Sequence, residues 1–282
     1  EVNNIKLKKE NKVLDIIDNN LCINLPIIPI VNNKFNFDKS IKRVMIDVGM
    51  SWNAPNSVKW LNRNHKDSVV IGCEPSNQEL FTVKGINRII FEGYKYHDKW
   101  FPEEFKANNF KIDKIQHNLI DKYSENSSCP YIPLKNSSKY YIFPVAINNE
   151  YGYSDFNTSG SHSGVGSLLE SNHENNGKIK VPVIKLEYIL ERIPFEYVEF
   201  LKIDAQGNDN NVILSAGELI KKCAVVSVER VNGEYIGENN MNILEYMKNK
   251  NFELIDIKHN CNIFMNNIYK HLNHKLDYDL IN

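Results

Sequence analysis

Cysteine is scarce in this sequence and is not spaced for a structural role. Only five of the 282 residues are cysteines, and they are Cys22, Cys73, Cys129, Cys223 and Cys261. Their number is odd and none forms a Cys-x-x-Cys pair, which argues against a structural zinc site and against a disulfide framework. The chain is long enough to bury a sizeable core instead, and its length fits one α/β domain with elaborations or two small domains.

The sequence also lacks a strong net charge and a long hydrophobic run. A formal net charge of -1 gives no whole-chain basic field for nucleic acid, although a local basic groove remains an alternative. The longest apolar stretch, residues 21–31, contains Pro26 and Pro29 and is too short to span a bilayer. We therefore expect no nucleic-acid partner, no membrane span and a cytoplasmic location. Because the chain begins at Glu1 rather than Met, a removed signal peptide or neighbouring domain stays open as an alternative.

Asparagine, lysine and isoleucine are abundant, and these are residues of A/T-rich codons. Such a composition suggests an A/T-rich genome, for example that of a large DNA virus or of certain protists and bacteria. This hypothesis concerns the source of the chain and has no bearing on its fold.

The most informative stretch is residues 198–211, which read V-E-F-L-K-I-D-A-Q-G-N-D-N-N. An apolar strand ends at Asp204, a turn with Gly207 follows, and a helical pattern begins at Val212. Ligands of open α/β sheets bind at such strand-to-helix turns, at the carboxyl edge of the sheet. The carboxylate of Asp204 is therefore expected to face a cleft.

Two predicted strands upstream of this stretch also end in acidic or glycine residues. Residues 44–51 contain an apolar run that ends in Asp47 and a turn at Gly49, and residues 68–75 contain a buried-strand run that ends in the acid Glu74. A glycine turn after one strand and an acid at the tip of the next make a nucleoside-binding arrangement. In it, backbone amides approach the ligand and a carboxylate accepts the ribose hydroxyls.

The rest of the chain alternates between strand and helix patterns, with strands expected over residues 140–147 and 224–229 and a short amphipathic helix over residues 186–193. We predict an α/β fold, Rossmann-like and doubly wound, with a mostly parallel sheet and an antiparallel terminal pair formed by strands near residues 252–257 and 263–265. Residues 1–43 are expected to be an arm packed on the domain, residues 44–282 the catalytic domain, and residues 92–139 an insertion in it.

Five of these motifs together resemble the FkbM-type S-adenosylmethionine-dependent methyltransferases, a class I methyltransferase type. They are residues 46–49 (I-D-V-G), 73–75 (C-E-P), 145–147 (V-A-I), 166–168 (G-S-L) and 201–207 (L-K-I-D-A-Q-G). The similarity covers roughly residues 44–229, and it departs from the family pattern at Asn53, where the family has a second glycine. Asn tolerates positive φ better than other non-glycine residues, so the turn can be kept.

The resemblance implies the cofactor S-adenosyl-L-methionine and a set of residues that bind it. On the matching positions, these residues are Asp47, Gly49, Ser51, Asn53, Glu74, Val145 and Ala146. Asp47 would hold the loop or receive the cofactor's ammonium group through water, and Glu74 would bind the ribose. The resemblance further implies O-methylation of a hydroxyl acceptor, with a sugar of a glycan as the favoured acceptor.

Asp204 and His162 are the candidate catalytic residues. Asp204 would orient or deprotonate the acceptor hydroxyl, and the alternative is an aspartate that only caps the turn. His162, in a Gly/Ser loop, is a second candidate base, or else a solvated loop histidine. Asp209 occupies a place where the family often has Glu, and a helix N-cap is the alternative for it. The other histidines have no metal-ligand spacing, and we predict no metal site.

Two other functions compete with methyl transfer. A nicotinamide-dependent oxidoreductase would have the same pattern of strands and helices, but no Gly-x-Gly-x-x-Gly follows the first strand. A non-catalytic Rossmann-like binding module of a longer glycan-modifying protein is the other alternative, because the first turn is altered. Neither the oligomeric state nor the identity of the acceptor follows from the sequence.

Overall fold

The computed structural model describes residues 30–50, 56–57, 60, 67–75, 140–143, 145–158, 165–171, 177–230 and 233–272. The strands of these residues are β1 (Ile30–Val31), β2 (Lys34–Phe35), β3 (Arg43–Val48), β4 (Ser68–Cys73), β5 (Tyr140–Phe143), β6 (Ala146–Ile147), β7 (Gly152–Thr158), β8 (Glu170–Ser171), β9 (Gly177–Ile184), β10 (Val198–Ile203), β11 (Cys223–Glu229), β12 (Tyr235–Ile236), β13 (Phe252–Lys258) and β14 (Cys261–Asn266). The helices are α1 (Leu186–Arg192), α2 (Asp209–Ser215) and α3 (Ile243–Asn249), with 3₁₀ helices at Gly217–Lys222 and Asn267–Leu272.

A central sheet of seven strands forms the body of the described structure, in the order β13-β14-β11-β10-β3-β4-β5. The strands from β11 to β5 run parallel to their neighbours. Strand β14 is antiparallel to β11, and β13 is antiparallel to β14. The prediction of a mixed α/β fold with a mostly parallel sheet is therefore confirmed, and the antiparallel pair lies at the edge that the last two strands occupy.

The apolar runs of the sequence become the buried strands of this sheet. Every residue of β4 and β10 is buried, as expected for strands covered on both faces. One hydrophobic core joins the sheet to α1, α2 and the first 3₁₀ helix. Trp60, which is helical and fully buried, meets Phe200 of β10 edge to face at a centroid distance of 5.0 Å.

A smaller sheet, in the order β6-β9-β7, stands beside the central one. It has its own apolar cluster, in which Ala146, Phe156, Val181 and Val183 are buried. The sequence pattern of residues 140–147 predicts one strand, and that prediction is wrong. The segment is divided, because β5 pairs with β4 of the central sheet and β6 pairs with β9 of the smaller one. Membership in a sheet depends on the partner strand, which a local pattern does not contain.

The described residues before β3 contribute to the central core. Strands β1 and β2 form a hairpin, and the turn between them has positive φ at Asn32 and Asn33. Phe35 and Ile41 are buried in the central core, and Lys34 donates a hydrogen bond to the carbonyl oxygen of Glu191. Residues 1–29 of the arm and the predicted insertion at 92–139 lie outside the described residues, so the division of the chain into these segments stays a prediction. In the part that the structure describes, no helix is long and apolar enough to cross a membrane.

Candidate active site

Four acidic residues stand at the carboxyl ends of four adjacent parallel strands. Asp47 is the last residue but one of β3, Glu74 follows β4, Asp204 follows β10, and Glu229 ends β11. The strand register aligns Lys202 with Asp47 and Ile203 with both Val48 and Val228. Sequence-distant carboxylates are thus gathered along one edge of the sheet, which is where ligands bind in open α/β sheets.

The turns after β3 and β10 cross each other in close contact. Asp204 donates its backbone N–H to the carbonyl oxygen of Val48 at 3.1 Å, and Gly49 donates its own to Cys73 at 3.0 Å. Gly49 has a φ of +70°, and a Cβ atom placed on it would lie 1.8 Å from the carbonyl oxygen of Asp204. Only glycine fits this crossing, for reasons of both conformation and space.

Lys202 is buried beneath the two turns and contacts residues of both strand ends. Its ammonium group lies 3.5 Å from Asp47 and 3.2 Å from Asp204, and it donates a hydrogen bond of 3.0 Å to the carbonyl oxygen of Gly49. Burial alone would lower the pKa of Lys202, but the carboxylates of Asp47 and Asp204 raise it above the ordinary lysine value. Asp47 is fully buried and also accepts a hydrogen bond of 2.6 Å from the hydroxyl of Ser57.

A cavity opens above this edge, with about 540 Å³ of empty space counted out to its mouth. The cavity is lined by Val48, Gly49, Cys73, Glu74, Pro75, Val145, Ala146, Ile147, Phe156, Gly166, Leu168, Asp204, Ala205, Gln206 and Asn208. The wall therefore combines the ends of β3, β4 and β10 with apolar groups of the smaller sheet.

The turn after β10 is held by side-chain hydrogen bonds of Asp209 and Asn208. Asp209 accepts hydrogen bonds from the backbone N–H groups of Ala205 and Gly207, at 2.8 and 3.0 Å, and does not line the cavity. Burial raises the pKa of Asp209 to about 6. Asn208 donates to the carbonyl oxygen of Ile147 at 3.0 Å, which connects the turn to the smaller sheet. In the structure, Asp209 thus clamps the turn that precedes α2.

Asp204 belongs to a hydrogen-bonded group at the cavity wall. The side-chain amide of Gln206 donates to Asp204 at 2.7 Å and approaches Glu229 at 3.4 Å, and the hydroxyl of Tyr235 bonds the amide oxygen at 2.7 Å. Burial alone would raise the pKa of Asp204, but Lys202 and the hydrogen bonds from Glu229 and Gln206 lower it. Burial, and then the carboxylate of Asp204, raise the pKa of Glu229 to about 8.

The structure brings together part of the predicted set. Gly49, Glu74, Val145, Ala146 and Asp204 all line the one cavity. Asp47 lies below it, with its side chain enclosed. Ser51, Asn53 and His162 lie outside the described residues. Within the ranges that are described, no group of three or more His, Cys, Asp or Glu residues could hold a metal ion.

Four residues of this edge were given no role by the sequence analysis: Lys202, Gln206, Glu229 and Tyr235. Lys202 carried a signal, since a charged residue inside an apolar strand run needs a buried partner. Glu229 carried a weaker one, because it ends a strand as Asp204 does. Gln206 and Tyr235 had no local signal, because their contact joins residues on different elements.

Comparison with known proteins agrees with the motif set. A family model for the methyltransferase FkbM domain matches residues 53–254, well over half of the chain. A crystal structure of methyltransferase FkbM from Methylobacillus flagellatus KT aligns with 83% of this chain and 45% of that chain, at 10% sequence identity and a TM-score of 0.41. The present chain thus spans less than half the length of that protein. No curated protein gives a significant match to the sequence.

Proposed function

The chain belongs to the FkbM methyltransferase domain family, and on that premise we propose that it transfers a methyl group from S-adenosyl-L-methionine to a hydroxyl oxygen. A sugar of a glycan is the favoured acceptor. The observation that carries the proposal is that Glu74 and Asp204 line one cavity on either side of the Gly49 turn. One carboxylate suits the nucleoside end of the cofactor, and the other suits the reacting end.

The residues of the cavity fit a nucleoside cofactor. Glu74 is only 4% exposed and follows the strand next to the glycine turn, in the position of a ribose ligand. Val145 and Ala146 offer an apolar wall for the base. Ser51 and Asn53 would continue the turn after Gly49. The order of the central sheet supports a Rossmann-like, doubly wound arrangement of the class I methyltransferase type.

Asp47 has a structural part in this proposal. The sequence left two roles open, holding the loop or receiving the ammonium group through water. Because its carboxylate is enclosed between Ser57 and Lys202, holding the loop is the role we propose. Lys202 then connects Asp47, beneath the turn, to Asp204.

When bound, the cofactor supplies a methyl group on a cationic sulfur, which becomes a neutral thioether once the methyl group has left. The protein has mainly to align the acceptor and to control its proton. Asp204, whose side chain is 33% exposed and held by Lys202, is placed to accept a hydrogen bond from the acceptor hydroxyl. Such a displacement needs no Lewis acid, so we propose that it is independent of metal.

Binding and product measurements test the proposal. Calorimetry should show binding of S-adenosylhomocysteine and no binding of NAD. Mass spectrometry over a panel of glycans and small hydroxyl compounds should then reveal a product heavier by one methylene group, in EDTA as well as without it. Binding of NAD alone would indicate an oxidoreductase, and binding of neither ligand would indicate a non-catalytic module of a longer protein. A cytoplasmic location stays a prediction, to be tested by fractionation of the source cells.

A further inference from the structure

We propose that Asp204 and Glu229 act as one proton-accepting unit, in which Asp204 contacts the acceptor hydroxyl and Glu229 decides whether the unit can take the proton. The inference rests on the proposed function and adds a residue that neither the sequence motifs nor the family match assigns. Gln206 and Tyr235 are the positioning residues of this unit.

The strand register places the two carboxyl groups side by side. Strands β10 and β11 are parallel, and Ile203 is the partner of Val228, so the residues that follow, Asp204 and Glu229, lie side by side at the carboxyl ends of these strands. Both carboxyl groups converge on the side-chain nitrogen of Gln206, which lies 2.7 Å from Asp204 and 3.4 Å from Glu229. Two carboxyl groups in such contact share a proton, because ionising both brings two like charges together.

Gln206 bridges the pair, and Tyr235 fixes the direction of the bridge. An ionised carboxylate can only accept hydrogen bonds, so the NH₂ end of the Gln206 amide must face Asp204, at 2.7 Å. The amide oxygen then faces the hydroxyl of Tyr235, which must donate to it, at 2.7 Å. Tyr235 is itself held, since it is buried and packs against Gly207, where an added Cβ would lie 2.6 Å from its ring.

The charges around the pair divide the two carboxyls into a stronger and a weaker acid. Lys202 of β10 forms an ion pair with Asp204, which keeps Asp204 ionised. Glu229 receives little of this stabilisation and faces further negative charge. The titratable groups near Glu229 are Asp204 and Lys202 from β10, Asp209 from α2, Tyr235 from β12 and Cys261 from β14. The pair therefore holds one proton near neutral pH, on the side of Glu229.

Such a pair is a useful base only after that proton has left. With Glu229 protonated, the remaining carboxylate is that of Asp204, whose pKa is lowered, and it is a weak base. With Glu229 ionised, the pair has a basicity close to the working pH, which is the condition for efficient general-base catalysis. As the oxygen–methyl bond forms and the sulfur–methyl bond breaks, the hydroxyl proton passes to the pair, which returns to its singly protonated form.

The pH dependence of kcat separates this role from a structural one. In the wild type, kcat should rise through about pH 8, where Glu229 titrates. In Glu229→Gln, the rise should be absent, so that the ratio of wild-type to variant kcat grows by about tenfold or more between pH 6.5 and pH 9. Glu229→Asp should restore a rise. Glu234→Gln, at an exposed neighbouring glutamate, is the matched control and should leave the profile unchanged.

A second readout needs no turnover. Carboxyl ¹³C NMR of the ligand-free protein should show a step near pH 8 that disappears in Glu229→Gln and shifts in Tyr235→Phe, which removes only the hydroxyl that orients Gln206. Absence of that step, or a kcat lowered by the same factor at every pH, would overturn the inference alone. A wild type that binds no S-adenosylhomocysteine and forms no methylated product would overturn the proposed function, and the inference with it.

Discussion

The turn of Gly49 and the backbone of Asp204 are in contact so close that no side chain fits between them. A Cβ on Gly49 would stand 1.8 Å from the carbonyl oxygen of Asp204 and 2.8 Å from its carbonyl carbon. The two residues belong to the two turns that form the floor of the cavity. Their contact therefore sets the position of the turn after β3 relative to the carboxylate of Asp204.

Gly49→Ala is expected to destabilise the protein strongly, because it meets both a positive φ and a backbone collision. Gly237→Ala is the matched control, since Gly237 also has a positive φ of +87° but has nothing within 4 Å of an added Cβ. The control should cost about 1–2 kcal/mol, the usual strain of a left-handed non-glycine residue. The loss of unfolding free energy in Gly49→Ala, measured by urea unfolding, should be well above that value. Equal losses of unfolding free energy in Gly49→Ala and Gly237→Ala would show that the two turns can move apart freely.

Lys202→Met is expected to lower the free energy of unfolding by about 3–5 kcal/mol, because it leaves the carboxylate of Asp47 buried without its cation. Adding Asp47→Asn should recover part of that loss, since the remaining amide needs no counter-charge. A double-mutant cycle measured by urea unfolding should therefore give a coupling of about 1–3 kcal/mol between the two positions. Strictly additive effects would mean that the ion pair contributes nothing specific.

Glu74→Ala is expected to weaken binding of S-adenosylhomocysteine by about 1.5–3 kcal/mol, the scale of hydrogen bonds to a charged group. The physical reason is that a buried carboxylate on the cavity wall would lose its bonds to the ribose hydroxyls. Calorimetry on folded protein measures the change. Glu150→Ala, at an exposed glutamate, serves as control. An unchanged dissociation constant for Glu74→Ala would remove this residue from the binding site.

Asp204→Asn is expected to lower kcat by ~10²–10⁴ while leaving cofactor affinity within a few-fold. The amide keeps the size of the side chain but loses the charge and the capacity to accept a proton. His162→Ala tests the competing base in the Gly/Ser loop and should have a milder effect. Near-normal turnover of Asp204→Asn would remove Asp204 as the base. Loss of chemistry only in His162→Ala would place the base in that loop.

Asp209 should make stability depend on pH in an unusual direction. Its folded pKa of about 6 lies above the ordinary aspartate value of 3.8, so the protonated form favours the folded state. The stability that it contributes is fully present below about pH 4 and is lost as the pH rises through about 6. The difference in unfolding free energy between wild type and Asp209→Asn should therefore shift against the wild type across this window. Parallel pH curves of unfolding free energy for the wild type and Asp209→Asn would contradict the prediction.

Local sequence determined the elements of the fold. Runs rich in apolar residues predicted β3, β4, β10 and β11, because strands buried on both faces are mostly apolar. The acid or glycine at the ends of β3, β4 and β10 also predicted which ends carry the candidate site. Residues 186–193 were predicted as a helix, and α1 occupies Leu186–Arg192. These features depend on neighbours in the sequence, so a pattern suffices to find them.

Tertiary structure alone decided which of these ends meet and what each carboxylate does. The order of the strands places Glu229 beside Asp204 and Lys202 beside Asp47, and no local pattern contains that order. The same packing encloses Asp47, turns Asp209 into a clamp on backbone N–H groups, and divides residues 140–147 between two sheets. Burial and partner charges set the protonation of a carboxyl group, and both come from residues distant in the chain.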